Sequence, residues 1–311
     1  MTRRYERRKA KGAGACPPLA TFPRHKSFSL FQMFQQITIL GPGLLGASFA
    51  LALKERGLCQ CVQVWSRRAE TRAQAKLATW CDRVFEQPGE ACVGSELVVV
   101  CTPVETIVPL LEQIAPSLER DALVTDVGST KSLICREARD LAEGLNFIGS
   151  HPMAGSERMG MAHARGDLFE GAACILTPLE NATATEIARL SELWQAIGMH
   201  VVTLSPEKHD EIVAHISHLP HLLASSLCSY LADQEPEWKQ LAGSGLRDTT
   251  RVAAGDSTLW QQILEQNREE VLRAIDGFET ELHALKTALL DRDSPSVLKL
   301  LARGKQYRDQ L

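Results

Sequence analysis

The 311-residue sequence is poor in aromatic side chains, which make up 5% of it. That is thin for a platform that stacks single-stranded bases. There is also no overall excess of positive charge to hold a phosphate backbone, since the formal net charge is −4. Residues 1–36 carry eight Lys or Arg against one Glu, a net +7, which leaves −11 on residues 37–311. A basic leader thus precedes an acidic body, and nucleic acid is not an expected partner. The nine cysteines contain no Cys-x-x-Cys; the nearest pair, Cys59 and Cys61, is separated by a single residue. Neither a zinc ribbon nor a thioredoxin-type motif is supported. The odd count and placements such as Cys101, after Leu97-Val98-Val99-Val100, read as buried thiols in a reducing cytoplasm. Long uninterrupted apolar runs are missing as well. Ser27–Leu53 lacks charge and exceeds the about 20 residues of a membrane span, but Gln32, Gln35 and Gln36 interrupt it and Gly41-Pro42-Gly43 breaks it. The basic start runs into Pro17-Pro18 and Pro23 without the apolar core of a secretion signal. No membrane association is expected. Residues 1–35 are expected to be a disordered basic leader, with Met33 a candidate start codon.

What is present is punctuation. Up to about residue 203 short apolar strands alternate with helical stretches: strands at 37–40, 62–65, 97–101, 123–126, 147–149, 174–177 and 201–204, helices at 44–56, 69–80, 104–118, 131–141 and 185–197. Such alternation predicts a mostly parallel sheet with helices on both faces. After Ser205-Pro206 nearly everything reads as helix. Leu264, Val271, Leu272, Ile275, Phe278, Leu282, Leu285 and Leu289 form one stripe of a long helix, followed by a short polar tail, Arg303–Leu311. The predicted fold is an α/β Rossmann-type N-terminal domain over residues 36–204 and an all-α C-terminal domain over 205–311. An apolar helical domain of this kind suggests a homodimer.

Gly41-Pro-Gly43-Leu-Leu45-Gly46 is a G-x-G-x-x-G that follows a strand and opens a helix. In that context it reads as a dinucleotide fingerprint. Gly41 makes the turn, Gly43 lets a pyrophosphate approach the helix N-terminus, and Gly46 allows close helix–strand packing. An NAD site carries an acid about 20 residues further on, to hold the ribose hydroxyls. Here the segment is Val64-Trp65-Ser66-Arg67-Arg68, and the first acid is Glu70. A hydroxyl and two guanidinium groups suit a 2′-phosphate, so NADP is favoured over NAD; the alternative is two solvated arginines at a helix start. Thr102-Pro103, at the end of a strand, is expected to border the nicotinamide half.

Three further segments carry unusual chemistry: Thr125-Asp126-Val127-Gly128-Ser129-Thr130-Lys131, Gly149-Ser150-His151-Pro152-Met153-Ala154-Gly155-Ser156-Glu157, and Ser244-Gly245-Leu246-Arg247-Asp248-Thr249-Thr250-Arg251. The first two lie just past strands, where open α/β sheets bind ligands. His151 is a candidate general base. Ser129 would hydrogen-bond the same hydroxyl or orient His151. Arg251 suits two-point pairing with a carboxylate; Arg247 would do the same or pair with Asp248. His215, His218 and His221 step round a helix by about 60° each, and no carboxylate accompanies them as in known zinc motifs. No metal is expected.

Together with His215-Ile-Ser-His-Leu-Pro-His221 and Trp260, these motifs resemble those of the prephenate/arogenate dehydrogenases of tyrosine biosynthesis. The resemblance covers about residues 37–290. It implies an oxidoreductase that removes hydride from ring C4 of a cyclohexadienol to a nicotinamide and releases carbon dioxide from C1. It further implies that Arg251 binds the ring carboxylate and that His221 and Glu157 belong to the substrate cleft. Prephenate is the expected substrate and arogenate the alternative. No regulatory domain fits the tail, so the monofunctional form of the family is implied. A β-hydroxyacid or imine reductase is the rival enzyme, with Lys208 or Asp210 as its catalytic group. A non-catalytic dinucleotide sensor is the rival of another class.

Overall fold

Leu97, Val98, Val99 and Val100 are each fully buried, which only a strand covered on both faces allows. They form β4 (Leu97–Val100) of an eight-stranded sheet in the computed structural model, which describes residues 33–141, 145–155 and 158–311. The other elements of the sheet region are β1 (Phe34–Leu40), α1 (Leu44–Glu55), β2 (Cys59–Trp65), α2 (Ala69–Lys76), β3 (Arg83–Phe85), α3 (Pro88–Cys92), α4 (Val104–Ile114), β5 (Leu123–Asp126), α5 (Ser132–Asp140), β6 (Asn146–Pro152), β7 (Ala173–Pro178), α6 (Ala184–Ala196) and β8 (His200–Thr203). Strand order is β3-β2-β1-β4-β5-β6-β7-β8. The first six strands are parallel, β7 is antiparallel to β6, and β8 runs parallel to β7. This is the expected mostly parallel Rossmann-type sheet, and its order reverses between β1 and β4. Two apolar layers enclose it. One contains Phe49, Phe169 and Trp194, and the other Ile107, Leu111 and Phe147.

Several boundaries differ from expectation. β1 begins at Phe34, because Gln35 and Gln36 are satisfied rather than disruptive. The Gln35 N–H donates to Glu96 Oε2 at 2.8 Å and Gln36 Nε2 donates to the Val93 carbonyl at 2.8 Å. Phe34 is buried, so residues 34 and 35 belong to the sheet and not to a leader; Met33 directly precedes the strand, and residues 1–32 of the expected leader lie outside the described residues. β3 and α3 carried too few apolar residues to be read. β6 runs on to Pro152, since β7 pairs with it as far as Cys174, and His151 therefore sits inside a strand rather than after one.

The remainder is helical, as expected: α7 (Pro206–Val213), a π-helical turn (Ala214–His218), α8 (Leu219–Ala232), α9 (Ser244–Thr250), α10 (Ser257–Gln266), α11 (Arg268–Leu290) and α12 (Ser294–Arg308). The expected single stripe is broken at Asn267, where α10 ends, and Leu264 lies in α10. Val271 and Ala274 are buried, but Leu272, Leu282 and Leu289 are exposed. The expected polar tail is helical as far as Arg308, where α12 ends. The described residues 33–311 form one compact unit, in which α7 packs on α5 and β7, and α10 on α4. No helix among the described residues is long and apolar enough to cross a membrane.

Candidate active site

The C-terminal ends of β1, β4, β5 and β6 share one edge of the sheet, and the site is built along it. Gly41 has φ +89°, and a Cβ there would lie 2.7 Å from Thr102 Cγ2. A Cβ on Gly43 would meet nothing within 4 Å, so open space lies over the start of α1, whose N-cap is this glycine and whose first turn has no side-chain cap. Thr102 Oγ1 is buried without a hydrogen-bond partner. A glycine turn at the reversal of strand order, an uncapped helix N-terminus and an unpaired hydroxyl fit a dinucleotide. Leu45 and Gly46 lie in the first turn of α1. Ser66 is buried at the end of β2, whereas Arg67 and Arg68 are exposed. The loop there is braced by Arg72 Nη1, which donates to the Ser66 carbonyl at 2.8 Å and the Arg67 carbonyl at 3.1 Å. Pro103 caps α4.

Ser129 sits in the β5–α5 turn. Its conformation is set by a fully buried ion pair: Lys131 Nζ lies 2.7 Å from Asp126 Oδ2 and also donates to the carbonyls of Gly128 (2.7 Å) and Thr130 (2.9 Å). The lysine wraps the turn from inside, and the Gly128 N–H donates to the same Asp126 oxygen at 2.7 Å. Ser129 itself is half-buried. His151 is 7% exposed on β6. Its Nδ1 lies 2.8 Å from Nε2 of His209 on α7, whose own Nδ1 lies 2.7 Å from Asp210 Oδ1. Burial, and after it the neighbouring His209, Lys131 and His218, holds the His151 imidazole well below its ordinary pKa of 6.5. It is therefore neutral at physiological pH and able to accept a proton.

The helical wall supplies His218, His221, Trp260 and Arg251. His221 stacks on the Trp260 indole with centroids 3.6 Å apart and planes 9° from parallel. His218 meets the same indole edge-on at 6.0 Å. Burial lowers the pKa of both histidines, that of His218 to about 4. His218 Nε2 and His221 Nδ1 are buried without partners, two polar atoms for a ligand to satisfy. Arg251 opens a 3₁₀ turn (Arg251–Ala254) that packs on α8 beside His221. Arg251 and Arg247 are exposed, and no ion pair joins Arg247 to Asp248 among the described residues. Glu157 lies outside the described residues. His215 is exposed, with its Nδ1 at the Glu211 carbonyl (2.9 Å). No group of three metal-ligating side chains occurs among the described residues. Thr130 Oγ1 donates to Gln266 Oε1 at 2.6 Å and joins the Ser129 turn to the helical wall.

A sequence model described as the prephenate dehydrogenase nucleotide-binding domain matches residues 49–203, and one described as the prephenate dehydrogenase dimerization domain matches residues 205–303. The chain belongs to the prephenate dehydrogenase family. Prephenate dehydrogenase of Bacillus subtilis is 34% identical over 90% of this chain and 77% of its own length, and cyclohexadienyl dehydrogenase of Zymomonas mobilis is 32% identical over 89% and 96%. Among solved structures, prephenate dehydrogenase of Aquifex aeolicus in complex with hydroxyphenyl propionate and NAD+ superposes with a TM-score of 0.84 at 30% identity, covering 92% of this chain and 99% of that one. Synechocystis arogenate dehydrogenase gives 0.77 at 31%, covering 89% and 99%. Within the family's dinucleotide-dependent oxidoreductase chemistry, Lys208 is no buried catalytic lysine: it is exposed and paired with Glu211 at 2.6 Å. His209 and Lys131 are not among the site residues expected from sequence, and Asp210 is expected only for the rival reductase. All three are buried: Lys131 pairs with Asp126, and His209 lies between His151 and Asp210.

Proposed function

We propose that this chain is a cytoplasmic prephenate dehydrogenase of tyrosine biosynthesis. It converts prephenate to 4-hydroxyphenylpyruvate and carbon dioxide, with NADP as the favoured hydride acceptor. The observation that carries this reading is His151: a neutral, buried imidazole on the sheet edge that also holds the glycine turn and Thr102. His151 takes the proton of the C4 hydroxyl as hydride departs from C4, and Ser129 hydrogen-bonds the same oxygen. Bound nicotinamide supplies the hydride acceptor. The C1–carboxylate bond then breaks, its electron pair completes the aromatic ring, and the C4 oxygen recovers a proton. Arg251 pairs with the ring carboxylate that departs, with Arg247 as the secondary cation, and His221 and Trp260 line the ring's cleft. Gly41, Gly43, Leu45 and Gly46 cradle the pyrophosphate. Ser66, Arg67 and Arg68 receive the 2′-phosphate, since no ion pair engages either arginine among the described residues.

A second reading, arogenate as substrate, is favoured by the 31% identity to the Synechocystis enzyme. Initial rates with prephenate or arogenate, each with NAD or NADP, separate the readings. The proposal requires the prephenate–NADP pair to give the highest kcat/KM; no turnover with any pair would make the chain a dinucleotide sensor. The functional unit is a homodimer, in keeping with the description of the C-terminal family domain and with exposed leucines along α11 and α12.

A further inference from the structure

Asp210 stands at the N-terminus of a helix to which it does not belong. Its Oδ1 accepts the backbone N–H of Lys131 at 2.8 Å, and its Oδ2 accepts that of Ser132 at 2.8 Å. Both oxygens are thereby committed as acceptors, because a backbone N–H can only donate. Burial alone would push this carboxyl up, but the hydrogen bonds from His209 and Ser132 outweigh it and hold the group below its ordinary range. Oδ1 also faces His209 Nδ1 at 2.7 Å. That nitrogen must therefore carry the proton. A neutral imidazole has one N–H, so His209 Nε2 presents a lone pair, and burial keeps His209 neutral by lowering its pKa. Nε2 faces His151 Nδ1 at 2.8 Å, and two lone pairs cannot face each other at that distance. His151 Nδ1 must then be the donor, which leaves His151 Nε2 unprotonated.

We propose that His209 and Asp210 are positioning residues that hold His151 in its Nδ1–H tautomer, so that Nε2 is the proton acceptor of the reaction. This rests on the reading of His151 as the base. The pair sits in a closed polar shell: Lys131 and Asp126 lie on the sheet side, His218 comes from the π-helical turn, and Asn267 Nδ2 donates to the Asp210 carbonyl at 2.8 Å and lies 3.2 Å from His218 Nδ1. The two residues are adjacent on α7, so the helical region reaches the catalytic strand through them. An imidazole free to exchange tautomers would spend part of its time with Nε2–H toward the substrate hydroxyl, where it accepts nothing.

The test begins with the unaltered holoenzyme. Nitrogen-15 spectra of histidine-labelled protein distinguish protonated from bare ring nitrogens, and the His151 signals are assigned by their loss in His151→Gln. The proposal requires a protonated Nδ1 and a bare Nε2; the opposite tautomer overturns it whatever any variant does. The second arm compares His209→Gln, whose side-chain oxygen can accept from His151 Nδ1, with His209→Leu, which cannot. For Leu we expect kcat to fall about tenfold or more, with KM for substrate and cofactor nearly unchanged and mixed tautomer signals. For Gln we expect recovery of most of that loss. Equal kcat in the two variants, whether high or low, would reduce His209 to packing and overturn the proposal. Should His151→Ala keep normal turnover, the base reading would fall instead, while the spectra still decide the tautomer.

Discussion

His151 is asked to accept a proton at neutral pH from a place where water scarcely reaches. Burial keeps the ring unprotonated before the reaction by disfavouring the imidazolium. Replacing it by alanine removes the acceptor without touching the cradle of the pyrophosphate. kcat is expected to fall by about 10²–10⁴, the range for a lost general base, with cofactor KM nearly constant. Steady-state kinetics on the purified variant check this, and near-normal kcat would refute the assignment. The buried histidines also set an acid limit on stability. His151, His209 and His218 all have pKa values below the ordinary 6.5, in each case chiefly through burial. Above pH 6.5 neither the folded nor the unfolded chain protonates them, and nothing is lost. Below it the unfolded chain binds protons that the folded chain refuses, so stability declines until the folded values are reached, about 4 for His218. Each histidine costs about 1.4 kcal/mol per pH unit in that window. Melting temperatures from pH 8 to pH 5 should hold level to about 6.5 and then drop steeply; a level curve down to pH 5 would show that these side chains protonate while folded.

The same economy of buried charge shapes the elements. The β5–α5 turn is wrapped round Lys131, whose ammonium is matched by Asp126 and two carbonyls. Lys131→Met would leave the Asp126 carboxylate buried without its cation, a loss of about 3–5 kcal/mol. Urea unfolding of the variant should reveal it, and an unchanged midpoint would mean that water or a shifted backbone replaces the ammonium. At the β2–α2 junction the question is selectivity. Arg67 and Arg68 stand exposed where β2 ends, and Glu70, the nearest acid, is already inside α2. One charge-assisted contact contributes about 1.5–3 kcal/mol, or roughly tenfold or more in preference. Arg67→Ala should thus shrink a preference for NADP, read as the ratio of kcat/KM for the two cofactors. Equal use of NAD and NADP by the parent would show these guanidinium groups to be solvated or stacked on the adenine.

At the scale of the molecule, α11 and α12 carry rows of exposed leucines. Leu282 and Leu289, two turns apart on α11, are 55% and 61% exposed, and Leu298 and Leu301 on α12 are 69% and 59% exposed. A second copy would bury these rows as an isologous interface. Light scattering should give twice the 34.2 kDa mass of the chain, and Leu282→Asp with Leu289→Asp should return it to the monomer value. A monomeric parent would leave these rows without the proposed partner.

The sheet, the glycine turn and the family were legible in the sequence because each depends on local pattern. Four valines and leucines in a row need two covered faces, and a glycine at positive φ leaves its mark on the residue itself. His151 could be singled out from its neighbours along the chain. Its true setting could not, because β7 extends the strand past it only through antiparallel pairing with a segment more than twenty residues away. The same holds for the line from the α5 backbone through the adjacent Asp210 and His209 to His151, whose links at either end span 58 to 79 positions in sequence. Sequence alone determined which side chains were available for the chemistry. Tertiary structure decided which nitrogen of His151 is bare, since hydrogen-bond direction passes between side chains only when packing brings them within reach.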